Sequence, residues 1–221
     1  MNEPPITPRP LPPEAAALLA EVEGKRGYLL AYHRMLAAAA PEVLATYDRF
    51  YESLTLQQRV LTAYEKETVW AALLAAVREV HGFIHMKRAV AAGLCEADMV
   101  RAVGIAAVTE AQLTMAFASA SWSTWTLPAA LEAHYLGLFA AAAGDLDLKL
   151  AHLAALVCHG ARRHEAGMVI HLKAAFAAGM KPEEAAEGLS YMLIPCGGNT
   201  LIEAVSYWEK AAAAGLVPPP Y

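Results

Sequence analysis

The stretch His85-Met-Lys-Arg-Ala-Val-Ala-Ala-Gly93 recurs as His171-Leu-Lys-Ala-Ala-Phe-Ala-Ala-Gly179, with six of nine positions identical at an offset of 86 and no gap. Three of the identities are alanine, which an alanine-rich chain supplies by chance; His, Lys and Gly are not so explained. The same register places Glu79 on Glu165, and both copies run into an acidic helix start, Glu96-Ala-Asp98 and Pro182-Glu-Glu184. Self-similarity over such a period means two supersecondary units that bury their apolar faces on each other. The expected organisation is two similar helical halves, 14–121 and 128–215, joined by the Ser/Thr/Trp segment around Ser119–Thr126. Nine of the 13 prolines lie in 1–13 and 216–221, so both ends read as extended tails.

Between the tails the pattern is helical, and no period-2 strand run occurs. Expected helices are 14–23, 28–39, 41–54, 56–81, 83–92, 96–121, 128–143, 147–163, 165–178, 182–193 and 199–214. Gly93, Gly144, Gly179 and Gly215 sit where C-terminal glycines belong, and Pro41 and Pro182 suit first helical turns. The class is all-α. Apolar residues make up 57% of the 221 and charged residues 18%. The mean hydropathy of +0.32 points to surface buried between subunits, a homo-oligomer. The longest charge-free stretch, Ala111–Leu131, carries Gln112, Ser/Thr and Pro128, so no membrane is expected. Net charge is −5 without a Lys/Arg cluster, so neither is nucleic acid. Cys95, Cys158 and Cys196 are odd in number and widely spaced, as in a reducing cytoplasm.

Six of eight histidines cluster as His81 and His85, then His152, His159, His164 and His171. His33 and His134 stand alone and read as ordinary surface or half-buried residues. His81 and His85, four apart, share a helical face and could converge on one ion or substrate. Glu79 joins them only if the helix breaks near Gly82. Glu67 lies five turns before His85, about 27 Å away on a straight helix; it reaches His85 only if the chain folds back after about residue 81. His164 and His171 share a face; His152 and His159 form another pair, turned about 120° from the first on a continuous helix. Cys95 at a helix start, the Cys196-Gly-Gly-Asn199 loop, Arg162 with Arg163, and Trp122 with Trp125 are secondary candidates. Their bland readings are a half-buried thiol, a turn, a solvated helix end and packing.

The segment from Lys66-Glu67 through His85, Ala91-Ala92-Gly93 and Glu96-Ala-Asp98 resembles the carboxymuconolactone decarboxylase / alkylhydroperoxidase D-like superfamily. His85 and His171 both match its final histidine, eight residues before an Ala-Gly and an acidic helix start. In the peroxidase branch two cysteines precede that histidine; here those positions hold Arg78 and His81, then His164 and Gly167, so no thiol peroxidase is expected. In the decarboxylase branch, Glu79, His81 and His85 match one half, and Glu165 and His171 the other. The resemblance implies an oligomeric all-α protein whose halves pair about a pseudo-twofold. It implies a lyase in which His85 or His171 acts as acid or base and Glu67, Glu79 or Glu165 orients it, on a small organic acid, lactone or carbonyl compound. No organic cofactor is expected. One rival is a metal-dependent oxygenase or hydrolase, with iron, zinc or copper on His81, His85 and Glu79, or on His164, His171 and Glu165. The other is a non-enzymatic scaffold with a degenerate pocket.

Overall fold

A computed structural model describes residues 10–221; residues 1–9, most of the expected N-terminal tail, lie outside the described residues. Contacts group the chain into two compact units, one ending at Gln57 and one running Gln58–Tyr221.

The first unit holds α1 (Pro13–Arg26), α2 (Ala31–Ala39) and α3 (Pro41–Tyr51), the last running into a π-helical turn, Glu52–Leu56. Ala15, Leu19, Val22, Ala37 and Leu44 form its core. Beside it Arg26 Nε donates to Asp48 Oδ1 at 3.0 Å. The guanidinium lies over the Tyr51 ring, 3.9 Å from its centroid. His33 is fully buried next to Arg26. Burial, and then the Arg26 charge, push its pKa down to about 4.

The second unit holds α4 (Ala63–Ala76), α5 (Phe83–Ala91), α6 (Glu96–Ser121), α7 (Pro128–Ala143), α8 (Leu148–Ala161), α9 (Glu165–Ala177), α10 (Pro182–Ser190) and α11 (Gly198–Ala213). Short 3-10 turns, Val80–Gly82 and Tyr191–Leu193, precede α5 and follow α10. No strand occurs among the described residues. Helices α4 and α8 pack on each other and on α6. Leu150 to Gly160 are all buried, as are Lys66 to Leu74, as expected of helices apolar on every side. Alanine permits this closeness. Ala71, Ala72, Ala76, Ala102, Ala106, Ala151, Ala154 and Ala155 meet in one cluster with Ile105, Phe139 and Cys158. Removing so little side-chain volume lets helix axes approach, and dispersion contacts become dense.

The main departure from expectation is the helix read over 56–81. It begins only at Ala63, because Thr62 and Glu65 form a capping box. Thr62 Oγ1 accepts from the Glu65 N–H, and the Glu65 carboxylate accepts from the Thr62 N–H at 2.9 Å. It ends at Ala76, and Arg78 takes a left-handed φ of 57°. The chain therefore folds back before residue 81. Helix α8 has matching features: also 14 residues long, it is capped by Asp147 Oδ1 accepting from the Leu150 N–H and followed by Arg163 at φ 55°. Gly93, Gly144, Gly179 and Gly215 all take positive φ at helix ends, as their spacing predicts. By length and composition α6 could cross a membrane; a third of its apolar window is buried, and core helices of soluble proteins pass the same test.

Candidate active site

Helices α7, α8 and α9, with His164 just before α9, bring five titratable side chains into one chain that is buried except at half-buried His164. His152 Nδ1 lies 2.8 Å from His171 Nδ1. His171 Nε2 lies 2.5 Å from the Tyr135 hydroxyl. That hydroxyl is 2.9 Å from His159 Nε2, and His159 Nδ1 is 3.1 Å from His164 Nδ1. A neutral imidazole has one N–H and one acceptor nitrogen. With every ring neutral, the direction of one bond therefore dictates all four. Two orderings satisfy the chain, donating from His152 toward His164 or the reverse.

Burial lowers the pKa of all four histidines. His159 falls to about 3, helped by the neighbouring His164 and Arg162. His171 falls well below its ordinary value, and His152 and His164 move the same way. Burial raises the Tyr135 phenol. Desolvation thus holds each member neutral near pH 7. Phe139, one turn after Tyr135 on α7, stacks on His152 with centroids 4.7 Å apart. Gly167 makes the His159–His164 approach feasible: a Cβ there would overlap ring atoms of both.

Residues 126–210 match the family model of the carboxymuconolactone decarboxylase family. No match is found among curated proteins or among solved structures. The matched segment contains all five members of the histidine–tyrosine chain, and it contributes Tyr191 to a second cluster.

That second cluster centres on His85. Its Nδ1 lies 3.1 Å from Glu67 Oε2, and both side chains are buried. The early end of α4 and the left-handed Arg78 turn α5 back along α4, which brings together two residues 18 positions apart. Trp70 stacks on His85 at 4.4 Å, and Tyr191 stacks on Trp70 at 5.0 Å. The Tyr191 hydroxyl donates to Glu187 at 2.7 Å, and Glu187 also accepts from the Val60 and Leu61 N–H groups. Burial lowers the His85 pKa; Glu67 opposes this and Arg88 and Lys66 add to it. In the pair, neutral His85 with its proton on Nδ1 donates to the Glu67 carboxylate, leaving Nε2 with the lone pair.

Other sequence candidates lie elsewhere. Glu79 is exposed and accepts from the His81 N–H at 2.9 Å, and His81 is exposed too. Glu165 is half-exposed and pairs with Lys210 at 3.0 Å. Neither carboxylate meets its histidine, because the breaks at 77–79 and 162–164 point them outward. Both nitrogens of His171 are engaged by Tyr135 and His152. Among the described residues no three His, Cys, Asp or Glu side chains converge on one ion position. Neither expected metal set is therefore assembled. Arg162 donates to Thr109, and Arg163 pairs with Glu203. Cys158 is fully buried, and desolvation raises its thiol to about 12. Trp122 and Trp125 are exposed in the single chain, Trp122 meeting Phe117 edge-on with centroids 5.4 Å apart.

Nothing in the sequence pairs Tyr135 on α7 with histidines on α8 and α9. The sequence places His152 and His159 about 120° around from His164 and His171. That holds for one continuous helix, and the break after Ala161 removes the premise.

Proposed function

We propose that this chain is a carboxymuconolactone decarboxylase-like enzyme that uses His/Glu acid–base chemistry on a small organic acid, lactone or carbonyl compound. The buried Glu67–His85 pair carries the reading. A carboxylate that fixes the Nδ1–H tautomer leaves Nε2 as a base, and burial keeps that base neutral near pH 7. His85 would remove or return a proton during decarboxylation or ring opening. Glu67 would orient the ring and stabilise its imidazolium form. His171, with both ring nitrogens engaged, would relay protons through Tyr135, His159 and His164 toward the half-buried end of the chain.

The two halves, 14–121 and 128–215, would be related by a pseudo-twofold. Several matched pairs support this. Thr62 and Asp147 cap helices of equal length, Arg78 and Arg163 share a left-handed turn, and Gly93 and Gly179 end the histidine helices. The Cys95 and Lys181 N–H groups each bond the carboxylate three residues on, Asp98 and Glu184. On this alignment Glu67 and His152 occupy equivalent places, each touching Nδ1 of its histidine. The protein would act as a homo-oligomer; three free cysteines favour the cytoplasm.

The test is turnover on a panel of small lactones and oxo-acids. His85→Ala should lower kcat/KM by roughly 10²–10⁴-fold, the span of a lost general base. Glu67→Gln should lower kcat more than it raises KM. Activity unchanged in both variants would overturn the reading.

A further inference from the structure

Helix α6 buries one face in the second unit and turns the other to water. Val100, Val103, Ala107, Glu110, Thr114 and Phe117 follow one another along that outer face at steps of three and four, the spacing of a coiled-coil seam. All are exposed except half-buried Glu110. The solvent face of a surface helix ordinarily carries charged and polar residues; here a single charge interrupts an apolar run. The two ends of the run differ in shape. Toward the start, Val103 edges an open groove of about 510 Å3, walled also by Val80, Phe83 and Met86. Toward the end, Phe117 projects with Trp122 edge-on against it. Phe117 stands 14 residues after Val103, about 21 Å along the helix, and Glu110 lies midway between them.

We propose that this face pairs with the same face of a second copy, antiparallel about a twofold axis beside Glu110, so that each copy's Phe117 enters the other's groove at Val103. Such a pairing is isologous: every contact is made twice. Superposition about residue 110 sets Phe117 on Val103 and Thr114 on Ala107, so each projecting ring meets a hollow, and the small side chains between them let the helix axes approach. Charge fits a second copy as well. At the axis Glu110 pairs with Arg78 at 2.5 Å, and the Arg78 side chain is 75% exposed. Each copy therefore brings one carboxylate and one guanidinium to the axis, where both can be shared. Lipid acyl chains would leave that pair desolvated without a countercharge. The area is also of the right size. Phe83, Phe117, Trp122 and Trp125 are each 51–82% exposed. At roughly 150–250 Å2 for a whole aromatic side chain they leave roughly 400–600 Å2 in water. That is half or more of the ~800 Å2 that each partner of a stable pair buries, and Val80, Val100 and Val103 add to it. The inference rests on the homo-oligomeric part of the proposed function and gives it a surface.

The test is sedimentation equilibrium of the full chain. The parent should contain an even number of 23.6 kDa chains. Phe117→Glu and Val103→Lys, both at exposed positions, should each halve the mass. The dissociation constant should rise about 100-fold or more, because both symmetry-related contacts are lost together. Circular dichroism should show both variants as helical as the parent, and Val103→Lys decides alone if Phe117→Glu folds poorly. Mixing the two variants should restore the parent mass, since one opposite-charge contact and one unaltered contact then form. Variants that keep the parent mass would overturn this interface and leave the homo-oligomer standing. Two folded variants whose mixture stays at half mass would overturn the antiparallel register. A monomeric parent, whether free or floating with phosphatidylcholine vesicles, would overturn the interface and the homo-oligomer together. Turnover plays no part in these outcomes, so the acid–base reading is judged separately, in His85→Ala.

Discussion

At the scale of single residues, the histidine chain is sensitive to atoms beside it. Tyr135→Phe removes the hydroxyl that joins His171 to His159, leaving two buried ring nitrogens without their shared partner. The expected loss is about 1–3 kcal/mol, read by urea unfolding with unchanged slope. Gly167→Ala should destabilise by a similar amount, about 1–3 kcal/mol, because the added methyl must displace His159 or His164. Histidine 15N spectra should show both imidazoles perturbed; unperturbed His159 and His164 signals would refute the crowding argument. Alanine at Gly24, where a Cβ meets nothing within 4 Å, is the control.

At the scale of elements, the ends of α4 and α8 decide which residues meet. Their interiors are so apolar that hydrophobicity alone would let either helix slide or lengthen. Thr62, Asp147 and the left-handed arginines specify the register instead. Thr62→Ala and Asp147→Ala should each lower stability by about 1 kcal/mol, measured by denaturant midpoint. Thr62→Ala should also loosen the Glu67–His85 pair, seen as faster exchange of the His85 ring proton; Asp147→Ala should not. The helix over 96–121 and that over 128–143 are legible in sequence to the residue, since glycine, proline and acidic signals bound them. The stretch 56–81 is not, because its true start is a capping box inside a run that is helical by propensity throughout.

At the scale of the whole molecule, the buried histidines make stability depend on acid. A histidine whose folded pKa lies below its unfolded value is neutral when folded and protonated when unfolded across the interval between them. The unfolded chain then binds more protons, so stability is fully present above about pH 6.5 and is lost as pH falls. For His33 the loss runs down to about 4, and for His159 to about 3. Each costs about 1.4 kcal/mol per pH unit within its window. His85, His152 and His171 act in the same direction. The protein should therefore begin to unfold well above the usual carboxylate range. His33→Gln should flatten the pH dependence of the first unit's unfolding without altering that of the second. A stability curve level from pH 7 to 5 would contradict this account.

Local signals in the sequence were enough for the all-α class and most helix limits, because propensity, glycine stops and periodicity act over a few residues. They also led to Glu67 as a partner of His85, conditional on a fold-back. The rest depends on distance in space. Which carboxylate reaches which imidazole depends on two left-handed arginines that no periodicity reveals, and they turn Glu79 and Glu165 outward. Tyr135 joins His159 and His171 from a third helix because alanine-rich faces pack closely. Convergence of that kind is set by how helices dock, and only the tertiary structure decides it.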